Sequence, residues 1–126
     1  MPAQLEHVNV TVSDLDRAVA LLHDLFGWEL RWRGASIHGG ETAHVGGKDS
    51  YLALYRHHDQ QAAQHSTYHV TGGLNHVGVV VDDLDAVEQR VKERGLTPRS
   101  HADYEPGRRF YFDDRDGVEY EVISYA

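Results

Sequence analysis

The stretch "LNHVGVVVDDLDAV", residues 74–87, stands a second time in this chain in nearly the same form, because residues 5–19 read "LEHVNVTVSDLDRAV". The histidines of the two copies, His7 and His76, lie 69 positions apart, and at that offset valine meets valine and the "DLD" triplets coincide. A repeat of about half the chain is too long for the unit of a solenoid. The sequence therefore indicates two copies of one folding module.

Each copy begins with the pattern of a β-strand and continues with that of a helix. Valines alternate with other residues over residues 8–12 and again over residues 77–81, which is the period of a half-buried strand. Each strand runs into an aspartate that can cap a helix, and in the first copy Ser13 and Asp16 also match a capping box. Apolar residues then recur at helical spacing, so each copy predicts a strand followed by an amphipathic helix.

The rest of each copy returns to strand patterns. Gly27 and Gly95 end the two helices in the manner of C′ glycines. Alternating apolar residues follow both glycines, and the pair Asp116-Gly117 near the end of the chain is typical of a hairpin turn. Each copy therefore has the order strand, helix and three further strands.

We predict one domain of the α+β class over residues 1–126, made of two tandem βαβββ modules. The first module covers about residues 3–57 and the second about residues 73–126. Between them, about residues 58–72 are polar and are interpreted as a linker, in which the histidines lie on the surface.

Composition excludes several classes of function. The net charge is −8 with no block of basic residues, which argues against nucleic acid as a partner. There is no cysteine, so thiolate metal ligands and disulfides are excluded. No apolar run has the length of a membrane span and the first residues lack a signal-peptide core, so we expect a soluble, cytoplasmic protein without a membrane partner. The unusual feature is ten histidines.

Strand phase places histidines and carboxylates on one kind of surface. If the valines pack under the helices, His7 and His76 point to the other face of each sheet, and Glu119 and Glu121 share a face of the last strand. Two histidines and one carboxylate form a metal site with open positions. The repeat pairs Glu121 with Ala53, which offers no fourth ligand. Three protein ligands favour a catalytic over a closed structural metal.

Both repeat stretches and the terminal "FYFDDRDGVEYEV", residues 110–122, resemble the vicinal-oxygen-chelate superfamily. That superfamily includes glyoxalases, extradiol dioxygenases, methylmalonyl-CoA epimerases, fosfomycin-resistance transferases and bleomycin-binding proteins. The resemblance covers nearly the whole chain. It implies paired βαβββ modules that form a cup, often across a dimer interface, and metal ligands at His7, His76 and Glu121.

The chain also departs from these relatives. Glyoxalases and the epimerases usually have a fourth ligand where this chain has Ala53, which weighs against their chemistry. The fosfomycin-resistance transferases have a threonine in place of Asn9 and a potassium loop in place of residues 100–109, so their activity is unsupported. Extradiol dioxygenases share the His, His, Glu set but usually add a second pair of modules. Dioxygenase chemistry stays open.

These features predict an enzyme with one divalent metal ion, Fe(II), Mn, Ni, Co or Zn, that acts on a small oxygenated molecule as a dioxygenase, lyase or isomerase. Asn9 and Glu119 are the candidate catalytic residues, and Glu119 is also a candidate partner of the metal ligands. Thr11, Tyr111 and Arg109 are candidates for the substrate-lining surface.

An alternative function and the assembly also follow from the resemblance. The bleomycin-binding relatives hold a drug without metal, so a metal-free protein that binds a drug or metabolite is the second hypothesis. We expect a homodimer, because two small modules leave apolar sheet surface uncovered. In such a dimer the metal site is formed within one chain, or His7 of one chain completes the site of the other.

Overall fold

The computed structural model describes residues 1–104 and 107–126, so residues 105 and 106 of the stretch compared with a potassium loop lie outside the described residues. The chain divides into two compact units, Met1–Gln61 and Ala62–Ala126. Each unit has one helix and one four-stranded sheet in the order βαβββ. The predicted α+β fold with tandem modules is confirmed.

The first unit has one helix, which lies in the chain between the two edge strands of its sheet. Its elements are β1 (His7–Thr11), α1 (Leu15–Phe26), β2 (Glu29–Ala35), β3 (Glu41–Gly46) and β4 (Tyr51–Arg56), with a short 3-10 turn at Ile37–Gly39. The strand order in the sheet is β1-β4-β3-β2. The pair β1 and β4 is parallel and the other pairs are antiparallel. The chain between β1 and β4, which contains α1, β2 and β3, is therefore the crossover that a parallel pair requires.

The second unit repeats this topology. Its elements are β5 (Val77–Val80), α2 (Leu84–Glu93), β6 (Arg99–Tyr104), β7 (Gly107–Asp113) and β8 (Glu119–Ser124), preceded by a 3-10 turn at Thr67–His69. The strand order is β5-β8-β7-β6, and the pair β5 and β8 is parallel. Within the described residues, each hydrogen-bonded ladder joins strands of the same unit.

Aspartates begin both helices. The side chain of Asp14 accepts a hydrogen bond from the backbone N–H of Arg17 at 3.0 Å, and Asp83 caps α2 in the same way. The capping box predicted from Ser13 and Asp16 is wrong, because the cap lies one residue later and the Ser13 hydroxyl accepts from the Arg17 guanidinium instead. Acceptors at this position satisfy N–H groups that have no partner within the helix.

Glycines end the helices as predicted. Gly27 has φ 70° and Gly95 has φ 78°, the left-handed conformation that costs glycine least. After α2, the N–H of Leu96 donates to the carbonyl of Val91, which closes a Schellman-type turn. No helix in residues 1–104 and 107–126 is both long and apolar enough to cross a membrane.

Each unit has its own core, on the helix side of its sheet. The buried side chains of α1 lie on β3 and β4, and those of α2 lie on β8. The largest buried side chains of the second unit are Phe110, Phe112 and Tyr120. Because side chains alternate along a strand, burial of Tyr120 and Val122 turns their neighbours Glu119 and Glu121 to the other face of the sheet. This polar face is where the candidate site lies.

Candidate functional site

His76 lies between two carboxylates of the second unit. It directly precedes β5, which runs parallel to β8, and this register brings its ring beside the polar face of β8. Its Nε2 atom is 3.5 Å from Oε1 of Glu121, and its Nδ1 atom is 3.4 Å from Oε1 of Glu119. Both nitrogens of one imidazole, 33% exposed, therefore face acidic oxygens.

Glu121 is held in place by two donors from β7. The Tyr111 hydroxyl donates to Oε2 at 2.7 Å, and Nη1 of Arg109 donates to the same oxygen at 3.1 Å. The side chains of Glu121 and Arg109 are 15% and 12% exposed, so water screens this ion pair weakly. The hydrogen bond to Glu121, together with burial, raises the pKa of Tyr111 to about 12. Tyr111 is thus a hydroxyl donor at neutral pH, and Oε1 of Glu121 is left to face His76.

Glu119 has a matching pair of donors. The Tyr68 hydroxyl donates to Oε1 at 2.5 Å, and Nη2 of Arg99 donates to Oε2 at 2.8 Å. Burial raises the pKa of Glu119, but the hydrogen bonds from Tyr68 and Arg99 outweigh it, so the pKa lies below the ordinary value. Glu119 is therefore an ionised carboxylate at neutral pH. A carboxylate stabilised in this way is a weak base.

The polar face of the first unit carries a row of rings instead. The ring of His7 stacks on Tyr51 with centroids 4.9 Å apart, and Tyr51 stacks on His44 at 4.5 Å. Trp32 continues the row with its centroid 5.1 Å from that of His44. These four residues belong to β1, β4, β3 and β2, so the row crosses the whole sheet in strand order.

Charged groups border this row. Glu6 accepts a hydrogen bond from the Tyr51 hydroxyl at 3.1 Å and pairs with Nδ1 of His7 at 2.9 Å. The guanidinium of Arg31 lies 4.7 Å from the centre of the Tyr51 ring. Burial lowers the pKa of His44, and the charges of His7 and Arg31 add to that effect. The His44 ring is therefore neutral at neutral pH.

The structure brings together, in the second unit, the predicted residues of that module. Glu119 and Glu121 face the ring nitrogens of His76. Tyr111 and Arg109 donate hydrogen bonds to Glu121. The other predicted residues belong to the first unit, where His7, Asn9 and Thr11 are the exposed residues of β1. Their assignment as a metal ligand, a catalytic residue and a substrate-lining residue stays a prediction.

Tyr68, Arg99 and His44 lie on these faces, but the sequence assigned no role to them. Tyr68 lies in the stretch interpreted as a linker and Arg99 at the start of β6, and both bind Glu119. His44 lies in β3, where the alternation of apolar residues is interrupted. The register offered a signal for His44, because His44 pairs with Ala53 as Tyr111 pairs with Glu121.

A second group of donors lies at the end of β4. His57, His58 and Asp59 place potential ligand atoms within 4.8 Å of one another. Both nitrogens of His57 already have partners, since Nε2 is 2.7 Å from the carbonyl of His38 and Nδ1 is 3.0 Å from the Asp59 N–H. His57 therefore joins two loops.

The donor set of His76 and Glu121 fits a metal ion. Two donor atoms that are each about 2.1 Å from a tetrahedral metal ion lie about 3.4 Å from one another. The Nε2 and Oε1 atoms are 3.5 Å apart. Imidazole nitrogen and carboxylate oxygen suit Fe(II), Mn, Co, Ni and Zn. Because Tyr111 and Arg109 bind Oε2 of Glu121, one oxygen is available for an ion.

Comparison with known proteins agrees with this architecture. The model of the Glyoxalase/Bleomycin resistance protein/Dioxygenase superfamily matches residues 4–122. A glyoxylase/bleomycin resistance protein/dioxygenase domain from Frankia sp. EAN1pec is 22% identical with a TM-score of 0.82, and the alignment covers 98% of each chain.

Two further solved structures differ in what they bind. The fosfomycin resistance protein FosX from Listeria monocytogenes, solved with Mn(II) and sulfate, is 20% identical with a TM-score of 0.75, over 98% of this chain and 93% of that one. TnmS3, an antibiotic binding protein from Streptomyces sp. CB03234, is 24% identical with a TM-score of 0.74, over 99% and 98%. Likeness at these identities shows the fold alone.

Proposed function

The chain belongs to the Glyoxalase/Bleomycin resistance protein/Dioxygenase superfamily, and from that premise we propose that it is a divalent-metal-dependent enzyme acting on a small oxygenated substrate. His76 and Glu121 hold the ion, and His7 completes the set from the first module of the same chain or of a second chain in a homodimer. The observation that carries the proposal is the 3.5 Å approach of Nε2 of His76 to Oε1 of Glu121. FosX, which shares the fold, was solved with Mn(II).

When bound, the ion would act as a Lewis acid on substrate oxygens. Arg109 and Tyr111 fix the orientation of Glu121 by binding Oε2, so that Oε1 is left to face His76. Tyr111 retains its proton and donates it in the hydrogen bond to Oε2 of Glu121. Fe(II) with oxygen chemistry, and Mn, Ni, Co or Zn with lyase or isomerase chemistry, are the forms of this proposal.

The remaining candidate residues have defined roles in the proposal. Asn9 and Thr11 are exposed on β1 together with His7 and would position a substrate by hydrogen bonds. Glu119 was a candidate for the base or for a partner of a ligand. Its ion pair with Arg99 and its lowered pKa support the second role, because they stabilise the ionised form.

A second candidate function is a metal-free protein that binds a drug or metabolite. One observation favours it: Arg109 already places a positive charge 3.1 Å from Glu121, so the carboxylate is compensated without an ion. TnmS3, which has the same fold, is an antibiotic binding protein. The two candidates therefore differ in whether Glu121 binds Arg109 alone or Arg109 and a metal ion.

Metal content separates these candidates. Untagged protein purified anaerobically is analysed for metals, and again after incubation with Fe(II), Mn(II) and Zn(II). We expect stoichiometric metal in the wild type and its loss in His76→Ala, while His65→Ala, which removes an exposed histidine, keeps it. Metal that is absent under every condition would contradict the enzyme proposal and favour the binding protein.

A further inference from the structure

We propose that Tyr68 is a positioning residue that fixes the tautomer of His76, so that Nδ1 carries the proton and the lone pair of Nε2 faces Glu121. The consequence for metal binding rests on the proposed function, whereas the tautomer itself does not. Tyr68 lies outside the helix and strands of its unit, in the 3-10 turn Thr67–His69.

The turn aims the Tyr68 hydroxyl at two partners. Ser66 begins the turn, and its hydroxyl accepts from the backbone N–H of Tyr68 at 3.3 Å. The tyrosine oxygen is then 2.5 Å from Oε1 of Glu119 and 3.1 Å from Nδ1 of His76. Nδ1 lies farther from Glu119 itself, at 3.4 Å, so the tyrosine oxygen is its nearer partner.

Counting protons decides the direction of both hydrogen bonds. A tyrosine hydroxyl has one hydrogen to donate and lone pairs to accept with, and an ionised carboxylate can only accept. Arg99 donates to the other oxygen of Glu119 at 2.8 Å and holds it ionised. The Tyr68 hydrogen must therefore go to Glu119. The tyrosine oxygen is left as an acceptor for Nδ1, which must carry a proton.

The same count of protons shows whether Nε2 of His76 carries a proton or a lone pair. In a neutral imidazole only one nitrogen carries a proton, so a protonated Nδ1 leaves Nε2 with its lone pair. That lone pair and Oε1 of Glu121 then face each other across 3.5 Å. Two lone pairs directed at one point repel each other unless a cation lies between them, either a metal ion or a second proton on the imidazole. Tyr68 thus prepares the donor pair, as outer partners of metal-binding histidines do.

The test measures the tautomer in metal-free protein. Histidine labelled with ¹⁵N is incorporated into the wild type and Tyr68→Phe, metal is removed with a chelator, and long-range ¹H–¹⁵N correlations are recorded at pH 8. We expect His76 in the Nδ1–H form in the wild type and a shift toward the Nε2–H form in Tyr68→Phe. Tyr125→Phe removes an exposed hydroxyl elsewhere and should leave the tautomer unchanged. A wild-type Nε2–H form, a wild-type imidazolium with both nitrogens protonated, or equal tautomers in wild type and variant would overturn the inference.

Metal affinity gives a second, separate readout. Competition with a chromophoric chelator for Zn(II) and Mn(II) should show roughly 10- to 100-fold weaker binding by Tyr68→Phe. If the tautomer shifts as expected but no protein binds metal, the proposed enzyme function fails and the inference about Tyr68 stands. If the wild type and the variant bind metal equally and share one tautomer, the inference fails and the proposed function stands.

Discussion

The two units share one topology, but they use the polar faces of their sheets differently. In the second unit the nitrogens of His76 face two glutamates, whereas in the first unit the ring of His7 stacks on Tyr51. Tyr51 and Ala53 occupy in β4 the places that those glutamates occupy in β8. The repeated topology thus gives both histidines the same position in their sheets. The residues of the neighbouring strand determine whether the histidine stacks through its ring face or pairs through its nitrogens.

The polar faces of the two units also differ in charge. Glu121 and Glu119 each bind one arginine and one tyrosine, so two acids lie on one sheet with compensating donors. The row of rings on the first face has half-exposed members, Trp32 among them, and a neutral His44. One face is suited to bind an ion and the other to pack against apolar or aromatic groups.

The largest effect is expected from removing the guanidinium of Arg109, the cation that pairs with Glu121. We expect Arg109→Met to lower the free energy of unfolding by about 3 kcal/mol, because it leaves a largely buried carboxylate without its partner. Urea denaturation measures the loss. Added Zn(II) should restore part of it, since an ion at Glu121 replaces the missing charge.

The matched control for this substitution lies in the first unit. Arg33 forms ion pairs with Glu41 and Asp16, whose side chains are 48% and 82% exposed. The same change, Arg33→Met, should therefore cost no more than about 1 kcal/mol. An Arg109→Met deficit that Zn(II) leaves unchanged would argue that Glu121 binds arginine alone, and would favour the metal-free protein.

A second test uses the pH dependence of stability. The pKa of Glu119 is lower in the folded state, so folding favours its ionised form. The resulting stabilisation is fully present above the ordinary glutamate pKa of about 4.3 and is lost as the pH falls through the folded-state value. Glu119→Gln should cost about 1–3 kcal/mol at pH 7, a cost that shrinks below about pH 4.

Urea denaturation from pH 7 to pH 3 measures this difference between the wild type and Glu119→Gln. Asp49→Asn removes an exposed carboxylate of the first unit and serves as the control, with nearly the same stability as the wild type throughout. A Glu119→Gln deficit that is constant over this range would contradict an ionised Glu119 held by Tyr68 and Arg99.

The smallest expected effect lies at the edge of the row of rings. Trp32 is 49% exposed, so Trp32→Ala should cost only about 0.5–1.5 kcal/mol through its contact with His44. Metal content should stay unchanged, because the change leaves the ion pairs of the second face intact. Trp32→Phe keeps a ring and should recover most of the stability. Loss of metal in Trp32→Ala would contradict the inference that the row of rings takes no part in metal binding.

Much of the fold and part of the candidate site could be predicted from the sequence. The alternation of valines and the repeated histidine gave the strand phase, which correctly turned His76 and Glu121 to one face of the second sheet. The aspartates and glycines at the helix ends depend on local backbone geometry, so they too could be read from short stretches. Local periodicity is therefore enough to predict which side chains share a face when they lie on paired strands.

The donors around Glu119 could not be predicted for two physical reasons. Tyr68 reaches the site from a turn, and a turn has no period from which a direction follows. Arg99 stands at a register shift of β6, next to Ser100 with φ 55°, and such an irregularity changes where side chains point. Both contacts depend on tertiary geometry that alternation along a strand does not encode.

Because each strand pair of the described residues lies within one unit, the order of the two units in the chain could be changed. In the described residues, every paired strand finds its partners on its own side of Gln61. Opening the backbone near that residue would sever no ladder, and the order of the two halves could be exchanged with all strand pairs preserved. The break must precede Ser66, because the turn that carries Tyr68 belongs to the second half. A circular permutant begun at Ala62 thus keeps every strand pairing of the two units in the described residues.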